Sequence, residues 1–113
     1  MQADLIAEIG VKNDLLDKAI KALGTRGRTY AQAEHDYKVA LSKKILLERD
    51  KGTPVTIISD VCRGDKEIAR LRFERDVAET SYEAAKEAIN GYKLQIRILD
   101  AQIVREWGHA GRD

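Results

Sequence analysis

His35, His109, Cys62 and the serines Ser42, Ser59 and Ser81 are the side chains of this sequence whose types suit metal binding or nucleophilic catalysis. Each histidine stands without a cysteine, a second histidine or paired carboxylates at ligand spacing. One cysteine and a distant histidine offer too few donors for zinc. His35 and Asp36 adjoin on a helical stretch, where neighbouring side chains diverge. No serine has a base near it in sequence, so no nucleophile–base pair can be argued. Gly24-Thr25-Arg26-Gly27 has the glycines of a phosphate cradle but neither the spacing nor the preceding strand of a nucleotide loop. Carboxylates alternate with Lys and Arg along helical faces, which is the pattern of a solvated surface. These residues predict a protein that is not an enzyme, with no catalytic group, no metal site and no cofactor.

Binding to another macromolecule is the chemistry left. The 20 basic and 19 acidic side chains give a net charge of +1, so no global field draws the chain toward nucleic acid or membrane. The charge is nevertheless uneven. Residues 21–51 hold eight Lys/Arg against four Asp/Glu. Within them Arg26, Arg28, Lys38, Lys43, Lys44, Arg49 and Lys51 form a basic band that could track phosphates, with Arg63 further on. Glu34, Asp36, Glu48 and Asp50 interrupt the band, and no helix-turn-helix signature accompanies it.

The elements that would position these groups are helices. At 113 residues the chain is a single small domain, with 35% charged and 43% apolar side chains and one proline. Leu5, Ile6, Ile9, Leu15, Leu16, Ile20 and Leu23 recur at three- and four-residue spacing and predict a helix over 3–23. The two glycines of residues 24–27 predict a kink or short break. A helix over 28–51 follows, its stripe carried by Tyr30, Ala33, Tyr37, Ala40, Leu41, Ile45 and Leu47, with Glu34 and Lys38 paired four apart. Gly52 and Pro54 stop it. Residues 52–64 are the turn. Ile57, Ile58, Val61 and Cys62 mark one face of a short helical plug closed by Gly64, and a strand at 55–58 competes because of its β-branched residues. Thr53 as N-cap before a proline in the first turn, or Thr56 as a cap after an extended run, would open it. Asp65 caps a long helix over 65–107, and 108–113 is a short polar tail.

That long helix carries the strictest pattern in the chain. Ile68, Leu71, Arg75, Ala78, Tyr82, Ala85, Ile89, Tyr92, Ile96, Leu99 and Ile103 form a heptad seam broken only by Arg75. At 1.5 Å per residue the helix is a rod of roughly 60 Å, whereas 28–51 spans only about 36 Å. The first helix must therefore cover the remainder of the seam. The predicted fold is all-α, an antiparallel, coiled-coil-like hairpin of long helices with a kinked first arm and a plug at the turn. Arg75 should pair with Glu79 or an acid of the first arm such as Glu48, or reach solvent past the hairpin end.

A second stripe, Phe73, Val77, Thr80, Ala84, Glu87, Gly91, Leu94, Ile98 and Ala101, follows the same rhythm about a third of a turn from the seam. Either the first helix and the plug cover it, or a second hairpin packs on it to make a homodimer, or a partner helix docks there. Its apolar and small members, Phe73, Val77, Ala84, Gly91, Leu94, Ile98 and Ala101, are the candidate protein-interaction residues. Cys62 has no partner for an internal disulfide, which fits a reducing compartment. Residues 1–10 have no basic region leading into an apolar run, and no stretch approaches the roughly 20 apolar residues that span a bilayer. The expectation is a cytoplasmic protein without membrane contact.

Three segments carry a resemblance: Gly52-Thr53-Pro54-Val55-Thr56-Ile57-Ile58-Ser59-Asp60, the run Gly64-Asp65-Lys66-Glu67-Ile68-Ala69-Arg70-Leu71-Arg72-Phe73-Glu74-Arg75-Asp76, and Glu87-Ala88-Ile89-Asn90 with Arg105-Glu106-Trp107. From about Gly27 onward the chain resembles small helical proteins of tailed phages and prophages of Gram-positive bacteria, a family without an established activity. The resemblance implies a phage context among early replication and recombination genes. It implies a binding role in the host cytoplasm: an adaptor or inhibitor of a host or defence protein, or alternatively a DNA-associated accessory of phage replication. The hairpin shape is also similar to secreted WXG-type proteins. Those carry Trp-x-Gly in the turn, whereas Trp107-Gly108 lies at the other end here, so that assignment is rejected.

Overall fold

The computed structural model describes residues 2–110, with side chains over 3–108. Among the described residues there are three helices and no strand: α1 Gln2–Asp50, α2 Val55–Gly64 and α3 Lys66–Ala110. The fold is an all-α antiparallel hairpin of long helices with a short helix at the turn. Residues 24–27 lie inside α1, which continues as helix where a short break was an expected outcome. The last helix likewise extends beyond residue 107 to Ala110, taking in part of the expected tail. The remainder of that tail, 111–113, and the His109 side chain lie outside the described residues.

The chain divides into two compact units. One joins the residues up to Gly24 with those from Glu83 onward, and the other is Thr25–Tyr82. In the first, Ala85, Ile89 and Leu99 are buried on α3 and Tyr92, Ile96 and Ile103 half-buried. Leu5, Ile9, Leu15, Leu16 and Leu23 supply the half-buried side of α1, while Ile6 and Ile20, expected on the same stripe, are exposed. In the second unit Tyr37, Ile58, Cys62, Ile68 and Ala78 are buried. Leu47 lies outside the packed side of α1. The seven-residue repeat explains both outcomes. None of the eleven seam positions is exposed, because a heptad keeps its a and d residues toward one neighbour.

Gly27 has a packing role. A methyl group there would come 3.2 Å from Cε1 of Tyr82, so the absent side chain makes room for that ring. Tyr82 also meets Tyr30, with ring centroids 5.9 Å apart and planes tilted by 36°. Arg26 Nη1 donates to the Ser81 carbonyl at 3.3 Å beside it.

α1 ends in a Schellman turn. Gly52 takes φ +82°, its N–H donates to the Arg49 carbonyl at 3.0 Å, and the Thr53 N–H donates to the Glu48 carbonyl at 3.0 Å. The stretch after it is helical, which settles helix against strand. Pro54 itself is the N-cap residue, at φ −56° and ψ 135°, instead of Thr53 or Thr56. Its fixed φ suits that position, and the Thr53 hydroxyl is engaged elsewhere. Asp65 caps α3 as predicted: Oδ2 accepts from the Glu67 N–H at 3.1 Å and the Ile68 N–H at 3.2 Å.

Candidate protein-interaction surface

The turn is held by polar contacts that the sequence did not single out. Glu48 is only 6% exposed, yet fully partnered. Thr53 Oγ1 donates to its Oε2 at 2.7 Å, and Lys44 Nζ and Lys51 Nζ lie 3.4 and 3.6 Å from Oε1. Lys44 Nζ also reaches Asp65 Oδ1 at 3.5 Å, so one ammonium links the end of α1 to the cap of α3. The Thr53 hydroxyl, followed by the two ammonium groups, holds the Glu48 carboxyl below its ordinary value against the opposing effect of burial. The Ile68 N–H and Lys44 do the same for Asp65. The signal available in sequence was Lys44 four residues before Glu48, with Thr53 placed to fold back past Gly52.

Arg75 corrects an expectation. Its Nε and Nη2 donate to Asp76 Oδ1 at 3.0 and 2.8 Å, and its guanidinium lies 4.8 Å from the Tyr37 ring centroid. Neither Glu79 nor Glu48 is its partner. A flat, weakly hydrated cation can lie on an aromatic face at the seam, so no buried carboxylate is needed.

Above these contacts α2 buries two of its five apolar residues. Cys62 is 0% exposed and Ile58 is buried, but Ile57 and Val61 are exposed. The pairs are each four apart, so they form two adjoining faces of one helix. Only the Ile58–Cys62 face covers the hairpin; a plug with all four turned inward does not form. Leu46 and Leu47 in the last turns of α1, and Val55 at the start of α2, are exposed as well.

The second stripe on α3 is uncovered. In the unit Thr25–Tyr82, Phe73 is 68% and Val77 52% exposed. In the other unit Leu94 is 55% and Ile98 53% exposed, Ala84 and Ala101 are exposed, and Gly91 is half-buried. Register gives the reason. With the seam at heptad positions a and d, these residues fall at c and f, about 150° from it, not a third of a turn away. A hairpin neighbour on the a/d side cannot reach them. Two open grooves flank the stripe. One of about 300 Å³ is lined by Thr29, Phe73, Val77 and Ser81, among others. The second, of about 220 Å³, is lined by Glu8, Lys12, Gln95, Ile98 and Leu99.

The basic band does not gather on one face. Lys38 pairs with Glu34 at 3.5 Å, Lys44 and Lys51 are held at Glu48, and Arg26 is turned to the Ser81 carbonyl. Lys43 shares its side of α1 with Asp36 and Asp50, seven residues to either side. Arg28 and Arg49 are exposed on other parts of the circumference.

Among the described residues no group of three or more His, Cys, Asp or Glu could hold a metal ion. No described helix is long and apolar enough to cross a membrane. The geometry defines an all-α helical hairpin whose distinctive surface features are exposed apolar faces. Comparison with protein-family models, curated proteins and solved structures finds no match for the chain.

Proposed function

We propose that this chain is a phage or prophage protein that acts without catalysis in the cytoplasm of the bacterial host, by binding another protein as an adaptor or inhibitor. The observation that carries the reading is the run of exposed large apolar side chains around the turn: Leu46, Leu47, Val55, Ile57 and Val61. Single exposed apolar residues are ordinary on protein surfaces, but five within sixteen residues suit a partner contact. The contacts of Glu48, Lys44, Thr53 and Asp65 beneath them keep that end ordered, so little conformational freedom is lost on binding. The phage context rests on the resemblance carried by residues 52–60, 64–76, 87–90 and 105–107.

The experiment is affinity capture from a Gram-positive lysate with the tagged protein and its Ile57→Asp and Val61→Asp variants, with and without nuclease. Both sites are exposed, so helicity by circular dichroism should persist. A protein recovered by the wild type after nuclease and lost with either variant supports the reading. Equal recovery by wild type and variants removes α2 as the contact, and partners that vanish with nuclease mark a nucleic-acid ligand.

A further inference from the structure

Within the unit that holds Glu83 onward, the outer face of α3 is a short self-complementary surface, independent of the α2 face. Along positions c and f it reads Glu87, Gly91, Leu94, Ile98, Ala101 and Arg105. Leu94 and Ile98 are 55% and 53% exposed, and a charge of opposite sign closes each end. We propose that this face binds the same face of a second copy, the two helices antiparallel about a two-fold axis level with Ile96.

That axis sets Leu94 against Ile98 of the second copy, and Ile98 against its Leu94, so four large apolar side chains meet at the centre. Next to them Gly91 faces Ala101, two small residues that let the helices converge. At each end Glu87 of one copy then meets Arg105 of the other. Glu87 and Arg105 are exposed, and neither has an ion pair among the described residues. An apolar centre with charged pairs at its edge is the usual build of a protein interface.

Charge also fixes the arrangement. A parallel pair sets Glu87 against Glu87 and Arg105 against Arg105. Sliding the antiparallel pair by seven residues one way puts Glu87 against Ile98, and the other way puts Arg105 against Leu94. Only the axis at Ile96 joins large to large and acid to base, and such complementarity sets orientation and register in helical pairs. Along one border Gln95 lies near its own counterpart, where two amides can hydrogen-bond. Along the other, Arg97 lies near its counterpart, an unfavourable contact that supplies a test of the register.

The experiment is sedimentation equilibrium on the full chain at low ionic strength, with helicity checked for every variant. The wild type should be dimeric at micromolar concentration. Glu87→Arg or Arg105→Glu puts two like-charge contacts in the dimer and should raise its Kd about tenfold or more, while the double variant should return it close to the wild-type value. Arg97→Gln should lower the Kd. In a mixture of Gly91→Cys and Ala101→Cys chains, oxidation should join unlike chains; a side chain at residue 91 meets nothing within 4 Å in its own chain, and Cys62 is fully buried. A single-chain mass at every concentration, a dimer indifferent to the charge reversals, a dimer weakened by Arg97→Gln, or oxidation that joins Gly91→Cys chains to their own kind would each overturn the proposal.

Discussion

Replacing glycine by alanine should have opposite effects within α1 and in the turn that ends it, and the difference follows from backbone geometry alone. Gly24 is helical, and a methyl group there would meet nothing within 4 Å. Alanine gains about 0.8–1 kcal/mol over glycine in an exposed helix interior, so Gly24→Ala should stabilise by that amount. Gly52 also has open space around a would-be Cβ, but its φ is +82°. A left-handed backbone costs an L-residue about 1–2 kcal/mol, partly offset by a stiffer unfolded chain, so Gly52→Ala should destabilise by about 1 kcal/mol net. The two variants should thus differ by about 2 kcal/mol, which separates their urea midpoints by about 1 M at a slope near 2 kcal/mol per M. Gly27→Ala should fall between them, because its methyl at 3.2 Å from Cε1 of Tyr82 makes that ring shift. Circular dichroism at the helical band is the assay. A Gly24→Ala protein less stable than the wild type would refute an α1 that continues through residues 24–27. An unchanged midpoint for Gly52→Ala would refute the Schellman turn.

Stability should fall in acid through the turn. Glu48 and Asp65 are held below their ordinary values of 4.5 and 3.8, so their ionised forms favour the fold. That contribution is complete above those values and is lost as pH falls through the lower folded-state ones. Urea midpoints measured from neutral pH downward should show this decline, and Glu48→Gln should flatten it; identical acid limbs for both proteins would remove Glu48 as a cause. Arg75→Lys should cost roughly 0.5–1 kcal/mol by losing the flat contact with Tyr37. The loss should shrink in a Tyr37→Leu background, and an equal loss in both backgrounds would assign the effect to Asp76 instead.

Much of the hairpin is legible in the residue order because helices answer to local chemistry and to period. The seam from Ile68 to Ile103 predicted which side of α3 is packed, and no position in it is exposed. Gly52, Pro54, Gly64 and Asp65 marked the turn correctly because caps and left-handed turns depend on backbone conformation and a few hydrogen bonds close in sequence. The first arm was less legible. Its stripe admitted Ile6, Ile20 and Leu47, which are exposed, and omitted Lys44 and Glu48, since an apolar count cannot recognise a polar pair on the packed side of a helix.

The candidate surfaces divide along the same line. By itself the sequence determined that a second apolar stripe exists on α3, and its heptad positions suffice to put that stripe opposite the seam. Only the tertiary structure decided that the stripe stays open, which face of α2 is buried, and that Gly27 seats Tyr82. It also decided that Arg75 lies on Tyr37, leaving Glu48 to Thr53 and two lysines. Those outcomes depend on which side chains from separate helices arrive at the same place. Periodicity states the direction in which a residue points; what it meets there is set by the packing of the other helices.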